Sequence, residues 1–295
     1  MRRVLITGAN SYIGVSFEEY VKERYQSYLS VDTVDMIDGS WINKDFSSYD
    51  VVYHVAGIAH ADVGKVNDDI KKKYYAVNTE LAVNTARKAK AEGVKQFIFM
   101  SSAIVYGDSA PYGQSKKITA DTVPQPANFY GDSKWQADEG IRDLETEDFK
   151  VCILRPPMIY GKGSKGNYPS LSKMARKLPF FPDIQNERSM LYIENLCEFL
   201  AQIMIREERG IFWPQNAEYT RTSEMVEMIG QATNHKVRVS KIWNWVVALA
   251  KFIPGKSRKL ANKAFGNMTY AKEMSQYDFE YQVVDLKTSI ERTER

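Results

Sequence analysis

The chain has 295 residues, 44% hydrophobic and 26% charged, the composition of a folded globular protein with room for one large or two ordinary domains. Its 40 Lys and Arg nearly balance 37 Asp and Glu, leaving +3, which excludes nucleic acid as the main partner. Cys152 and Cys197 lie inside apolar segments without disulfide or metal spacing, and no apolar run approaches the roughly 18 residues that would span a bilayer.

Val4 to Ile6 read as a short apolar strand, followed by Thr7-Gly8-Ala9-Asn10-Ser11-Tyr12-Ile13-Gly14 and a helix to about Tyr25. Strand, glycine turn and helix start in that order seat a dinucleotide. The first helix amides lack carbonyl partners and carry the positive end of the dipole, so they hold a pyrophosphate without a lysine. Gly8 allows the tight turn and Gly14 lets helix and strand pack closely.

A second strand, Tyr28 to Val34, ends near Asp35. An acid there accepts hydrogen bonds from the adenosine ribose and repels a 2′-phosphate, favouring NAD over NADP. Asp32 competes for the role, being nearer the usual spacing of about 20 residues from the glycine turn. Asp50 to Gly57 is a near-continuous apolar run, as in a parallel strand buried on both faces, with Val55, Ala56 and Gly57 at the end beside the cofactor. His54 alternates into that strand as a packed core residue. Tyr74 to Glu92 has helical periodicity and stops at Gly93. The strand from Gln96 ends at Ser101 and Ser102, where open α/β sheets bind ligands.

Tyr-x-x-x-Lys occurs twice, at Tyr112 and Lys116 and at Tyr130 and Lys134. Spacing of four on a helix puts both side chains on one face, where the ammonium can lower the phenol's pKa and hold the cofactor ribose. Gly107, Pro111, Gly113, Pro124 and Pro126 place the first pair in loops, whereas Tyr130 opens a helix-compatible segment. Tyr130 and Lys134 are therefore assigned.

Beyond Gly161 a loop of glycines and lysines precedes an amphipathic helix from Pro169 to Lys177. Lys165, Asn167 and the helix start there either hold a diphosphate or form a solvated loop. Lys241 to Phe265 places Ile242, Trp245, Val246, Leu249 and Phe252 on one helical stripe, with Lys251, Lys256, Arg258, Lys259 and Lys263 near or beyond it. That pattern reads either as a helix packed inward or as a basic amphipathic face on an anionic membrane. Tyr277 to Ile290 closes the chain with a short strand and a helix.

The succession Thr7-Gly8-x-x-Ser11-x-x-Gly14, Ser101-Ser102 with Val105-Tyr106-Gly107, Tyr130-x-x-x-Lys134 and Leu154-Arg155-Pro156-Pro157-Met158-Ile159-Tyr160-Gly161 resembles the NAD-dependent epimerase/dehydratase family. This is the extended, nucleotide-sugar-modifying branch of the short-chain dehydrogenases/reductases. The resemblance implies an α/β fold: a Rossmann-like doubly wound parallel sheet over residues 1–160 and a smaller substrate-binding domain over 161–295, with 188–205 packing back on the first. It implies adenine contacts at Asp45 and Phe46, nicotinamide beside Pro157, and Asn78 fixing the active-site water and helix geometry. It places Asn167 on the sugar nucleotide and Arg188 on its diphosphate, with Arg155 as the structural alternative. Ser11 replaces the family's middle glycine, so its hydroxymethyl either crowds the phosphate or donates a hydrogen bond to it.

The chemistry implied by the resemblance is hydride transfer. Tyr130, held partly as phenolate by Lys134 and the positive nicotinamide, takes the proton from a sugar hydroxyl while hydride leaves the same carbon for NAD; Ser102 binds the hydroxyl and then the ketone. Hydride return to the other face makes a UDP-hexose or UDP-N-acetylhexosamine 4-epimerase, with a place in cell-surface polysaccharide synthesis. A 4-keto-6-deoxy sugar nucleotide arriving with NADH or NADPH makes the same residues a reductase. Ser102-Ala103-Ile104 supplies no acid or base, which argues against dehydration. A non-catalytic dinucleotide sensor is the alternative of another class. A cytoplasmic homodimer, associating through the helices that carry Asn78 and Tyr130, completes the expectation.

Overall fold

The computed structural model describes residues 1–59, 67–250, 262 and 264–295. Six parallel strands, β1 (Arg2–Thr7), β2 (Leu29–Val34), β3 (Val51–His54), β4 (Gln96–Met100), β6 (Lys150–Leu154) and β10 (Gly210–Phe212), form one sheet in the order β10-β6-β4-β3-β1-β2. Every residue of β3 and β4 is buried, which is why these strands read as continuous apolar runs. Alternate side chains feed two layers. Val4, Ile6, Tyr53, Ile98 and Leu154 share one core with residues of α1 (Tyr12–Arg24) and α6 (Ile193–Ile205). Leu5, Val52, Phe97, Phe99 and Ile153 share the other with residues of α3 (Leu81–Ala91) and α4 (Phe129–Arg142). Each such side chain taken fully from water contributes about 1.5–3 kcal/mol.

The chain leaves β1 toward β2 on one side and takes up β3 on the other. The helices that follow, α1 after β1 and α3 after β3, lie on opposite faces of the sheet, so the crevice where doubly wound sheets hold ligands lies outside the carboxyl ends of these two strands. Three parallel pairs build the rest: β5 (Lys117–Ile118) with β12 (Thr269–Tyr270), β7 (Met158–Tyr160) with β9 (Met190–Tyr192), and β8 (Phe180–Pro182) with β11 (Arg238–Ser240). Helices α5 (Asn167–Ala175), α7 (Thr222–Ala232), α8 (Asn244–Ala250) and α9 (Leu286–Glu294) also belong to this part. Helix α6 returns to α1, where Glu198 accepts the hydroxyls of Tyr20 at 2.7 Å and Tyr25 at 2.5 Å.

Three elements depart from the sequence expectation. The helix expected from Tyr74 begins earlier, as α2 (Asp68–Tyr74) capped by Asn67, and passes into α3 through a π-helical turn, Tyr75–Glu80. Tyr277 to Val284 forms no strand, because Tyr277, Phe279 and Tyr281 instead surround Phe199 at ring distances of 5.1, 5.5 and 5.1 Å. Lys241 to Phe265 is not one inward stripe. A 3-10 turn (Lys241–Trp243) leads into α8, and Ile242 and Trp245 face solvent. Lys251, Phe252, Lys256, Arg258, Lys259 and Lys263 lie outside the described residues.

His54 is fully buried between Phe97 and Phe99, its Nδ1 2.7 Å from Thr7 Oγ1. Burial, helped by the Lys134 charge, pushes its pKa down to about 3. Between that value and the ordinary one near 6.5, the unfolded chain binds a proton that the folded chain refuses, so His54 withdraws stability as pH falls through this window, by at most about 1.4 kcal/mol per pH unit. Urea unfolding at pH 7 and pH 4.5 is expected to show a smaller acid loss for His54→Phe than for the wild type; equal losses would refute the assignment.

Candidate active site

Gly8, at φ +114°, turns the chain out of β1, and a Cβ there would lie 2.8 Å from the Ala56 amide nitrogen, so the loops after β1 and β3 meet only because Gly8 has no side chain. Gly8 and Ala9 amides donate to Val34 O at 3.0 and 3.1 Å, which brings the end of β2, and so Asp35, beside the turn. Asn10 takes a left-handed φ of +63°. Ser11 caps α1: its Oγ accepts the Gly14 amide at 3.2 Å. The hydroxyl is thus turned onto the helix, and a Cβ on Gly14 would lie 2.7 Å from it. The amides of Tyr12 and Ile13 open the helix as first-turn donors without intrahelical acceptors.

These loops form one wall of a cavity of about 520 Å³ lined by Ser11, Tyr12, Ile13, Val55 and Gly57 on this side. Ser102, Tyr130, Lys134 and Pro157 line its far side, and Lys165 and Asn167 close one end. Asn128 caps α4 through the Gly131 amide at 3.0 Å, and Gly131 lies so close to the Ser102 turn that a Cβ there would be 2.8 Å from Ile104 O. That contact brings Tyr130 beside Ser102, both lining the cavity. Burial raises the Tyr130 pKa to about 12, the Ser102 hydroxyl opposing and nearby Tyr74 adding to the rise. Without a ligand, burial keeps Tyr130 a neutral phenol; the partial phenolate expected from the resemblance belongs to the state with the positive nicotinamide bound.

Lys134 lies one turn on, its Nζ donating to Met100 O at 2.9 Å and sitting 4.8 Å from the Phe99 ring centre. Among the described residues no carboxylate forms an ion pair with it, and burial lowers its pKa to about 8. Asn78 is fully buried behind this wall. Its amide group spans the backbone of Ile58 (N at 2.8 Å, O at 3.0 Å) and reaches Ser133 Oγ at 3.1 Å. The π turn rotates it there, and it holds the loop after β3 against α4 without lining the cavity.

A second cavity of about 110 Å³ adjoins the first, sharing Met158 and Asn167, and is lined also by Leu171, Met174, Arg188, Met190, Thr220 and Met225. Burial depresses the Arg188 pKa, and no carboxylate among the described residues forms an ion pair with it. Thr220 Oγ1, buried beside it, has no hydrogen-bond partner among the described residues. An uncompensated guanidinium and a free hydroxyl in an enclosed site suit an anion.

The sequence model of the NAD dependent epimerase/dehydratase family matches residues 4–212. This chain belongs to that family. A UDP-glucose 4-epimerase of Vibrio cholerae is 28% identical over 276 residues, 87% of this chain and 83% of that protein. An N-acetyl-α-D-glucosaminyl-diphospho-ditrans,octacis-undecaprenol 4-epimerase of Escherichia coli O157:H7 is 28% identical over 253 residues, 79% of this chain and 73% of its own. Among solved structures, a UDP-glucuronic acid 4-epimerase from Bacillus cereus in complex with NAD has TM-score 0.72 at 18% identity, covering 98% and 96% of the two chains. A dTDP-4-dehydrorhamnose reductase from Bacillus anthracis with NADP has TM-score 0.74 at 19% identity, covering 99% and 98%. The family member is an NAD-dependent enzyme on the short-chain dehydrogenase/reductase fold.

Several expected site residues of this epimerase/dehydratase member sit off the cavity walls. Asp45 is exposed, its Oδ1 taken by the Ser47 amide at 2.8 Å; the Phe46 ring is fully buried and its amide donates to Glu92 at 2.6 Å. Arg155 is structural, bidentate to buried Asp138 at 2.9 Å. In the other Tyr-x-x-x-Lys pair, Lys116 Nζ donates to Tyr106 O at 2.5 Å and Asp108 O at 3.0 Å, bracing a loop. Thr220 escaped sequence reasoning because it enters the site only through its bridge to Arg188; Met158 was inside the quoted Leu154 to Gly161 motif.

Crowding between Ser11 and Gly14 is directly testable. Gly14→Ala is expected to lower stability by about 1–3 kcal/mol in urea unfolding, Ser11→Gly alone by a few tenths, and the double variant to recover much of the loss. Additive losses would mean that the two side chains do not collide.

Proposed function

We propose that the enzyme is an NAD-dependent 4-epimerase of a hexose or N-acetylhexosamine carried on a nucleoside diphosphate, with a role in cell-surface polysaccharide synthesis. The observation that carries the proposal is the joining of two sites in one cavity system: Ser102, Tyr130 and Lys134 on one side, and uncompensated Arg188 with Asn167 on the other. Redox chemistry at a sugar carbon needs the first, and a sugar diphosphate needs the second.

The residues present fit NAD. Gly57 keeps the cofactor wall thin, since a Cβ there would lie 3.1 Å from Lys134 Nζ, and Gly8 does the same at the turn. In this reading the Tyr12 and Ile13 amides hold the pyrophosphate, Val55 to Gly57 and Pro157 bound the nicotinamide end, and Asp35 receives the adenosine ribose. Asp32 is less suited, because Tyr49 donates to it at 2.8 Å and Arg3 lies 3.7 Å away, three residues back along β2. Asp35→Asn is expected to raise NADP binding relative to NAD about tenfold by fluorescence titration; an unchanged ratio would move the selecting group elsewhere.

When bound, NAD supplies the hydride acceptor and a positive charge. That charge and Lys134 oppose the burial that keeps Tyr130 neutral, so Tyr130 can take the proton of the sugar's 4-hydroxyl. Ser102 donates to the carbonyl oxygen that results, and Arg188 retains the diphosphate while the sugar turns. Asn78 acts by positioning Lys134's helix against the loop after β3.

Incubating purified protein, without added cofactor, with UDP-galactose, UDP-glucose and their N-acetyl forms tests the reading by NMR of the sugar protons. The 4-epimer is expected to appear, and Tyr130→Phe to slow its formation by about 10²–10⁴ while leaving fold and NAD content intact. Reduction of a 4-keto-6-deoxy sugar nucleotide in its place would make the enzyme a reductase, and indifference to Tyr130→Phe would make it a sensor.

A further inference from the structure

From Met228 to Lys272 the sequence runs 45 residues with nine Lys and Arg and no Asp or Glu. The whole chain carries only +3, so its remainder is net negative and the positive charge is segregated in this stretch. The described part of the stretch also exposes large apolar side chains: Ile242 at 75% and Trp245 at 57%, near Phe180 at 44% and Leu178 at 39%. These belong to one surface. Phe180 lies opposite Arg238 in the β8–β11 pair, its ring 5.4 Å from that of Trp243, and His235 Nε2 is 3.2 Å from Leu178 O. Lys177, Lys236, Arg238 and Lys241 surround them, all exposed and none ion-paired among the described residues. Asp183, which directly follows β8, is paired with Arg221 at 2.6 Å.

Single exposed apolar residues are ordinary on a protein surface. Four of them, interleaved with four cations that form no ion pair among the described residues, are not. We propose that this face docks on the surface of an anionic lipid bilayer. Trp245 and Ile242 enter the headgroup boundary while the lysines and Arg238 meet lipid phosphates. Trp245 and Phe180 are rings on which a base could stack, but Leu178 and Ile242 are aliphatic and match a hydrocarbon boundary rather than a base, so a bilayer suits the whole face better than a polyanion strand does. Helix α8 has seven residues, so the contact is interfacial.

The face is coupled to the site by α5. Asn167 at its start lines both cavities, Met174 lines the smaller one, and Leu178 follows Met174 by four residues. At about 1.5 Å per residue the docked face stands within roughly 20 Å of the anion site. Docking would present the diphosphate end of the cavity to the headgroup layer. The inference uses residues outside the epimerase site and stands or falls apart from that reading.

Flotation of the full chain with vesicles tests it. Binding is expected to vesicles of phosphatidylethanolamine with phosphatidylglycerol and not to phosphatidylcholine alone, weakening as salt rises. Ile242→Ser with Trp245→Ser should weaken flotation about tenfold or more, and Lys241→Gln or Arg238→Gln about fivefold each. All these variants should keep the wild-type melting temperature and turnover of soluble substrate. Failure of the wild type to float, or flotation unaffected by the variants, would overturn the proposal. So would self-association in solution that the Ile242 and Trp245 changes abolish without any vesicle binding, since the face would then meet a second copy of the chain.

Discussion

The active site depends on the buried ion pair between Arg155 and Asp138. Asp138 is one turn beyond Lys134 on α4, and Arg155 directly follows β6. Asp138 also accepts Ser101 Oγ at 3.1 Å, immediately before Ser102, while Arg155 donates to the Tyr106 hydroxyl at 2.8 Å. Trp213 donates to the same hydroxyl at 2.7 Å, and Tyr270 to Arg155 O at 2.6 Å. One pair thus sets the register between α4, the end of β4, β6 and the chain beyond β10. Desolvating two charges offsets much of their attraction, so such a pair adds little net stability, whereas losing one partner strands the other. What it contributes here is position: Tyr130, Lys134 and Ser102 keep their relation because the helix cannot slide.

Two cations inside the cavities have no such partner. Lys134 and Arg188 are both pushed toward neutrality by burial, and neither is ion-paired with a described carboxylate. In the free chain they cost stability, which a fold with only a core to optimise would avoid. Under the proposed function their cost is recovered when the cofactor and the sugar diphosphate arrive, which accounts for them better than folding does. Asp138 and Arg155, alike in composition but paired, belong to the scaffold.

Much of the site was legible because its residues lie in short segments that are each punctuated locally. Gly8, Gly14, Ser102, Tyr130, Lys134 and Pro157 stand at strand ends or helix starts, where turn and cap chemistry is written in adjacent residues. The surroundings of Asp45 and Phe46 could not be read from the sequence. Glu92, on the chain after α3, takes the Phe46 amide, and neither spacing nor periodicity reveals a partner 46 residues away. The strand expected after Tyr277 failed for a related reason, since its apolar alternation served aromatic packing on Phe199.

The sequence by itself determined the parallel sheet, the glycine turn after β1 and the helix that carries Tyr130 and Lys134, because apolar runs, glycine turns and proline-bounded loops act over a few residues. Only the tertiary structure decided that Ser11 serves as a helix cap, that Asn78 is drawn behind the wall by a π turn, and that Asp35 rather than Asp32 is left beside Gly8. It alone joined Arg188 to Thr220 and turned Ile242 and Trp245 to solvent. These outcomes depend on which distant surfaces meet, and no local pattern encodes that.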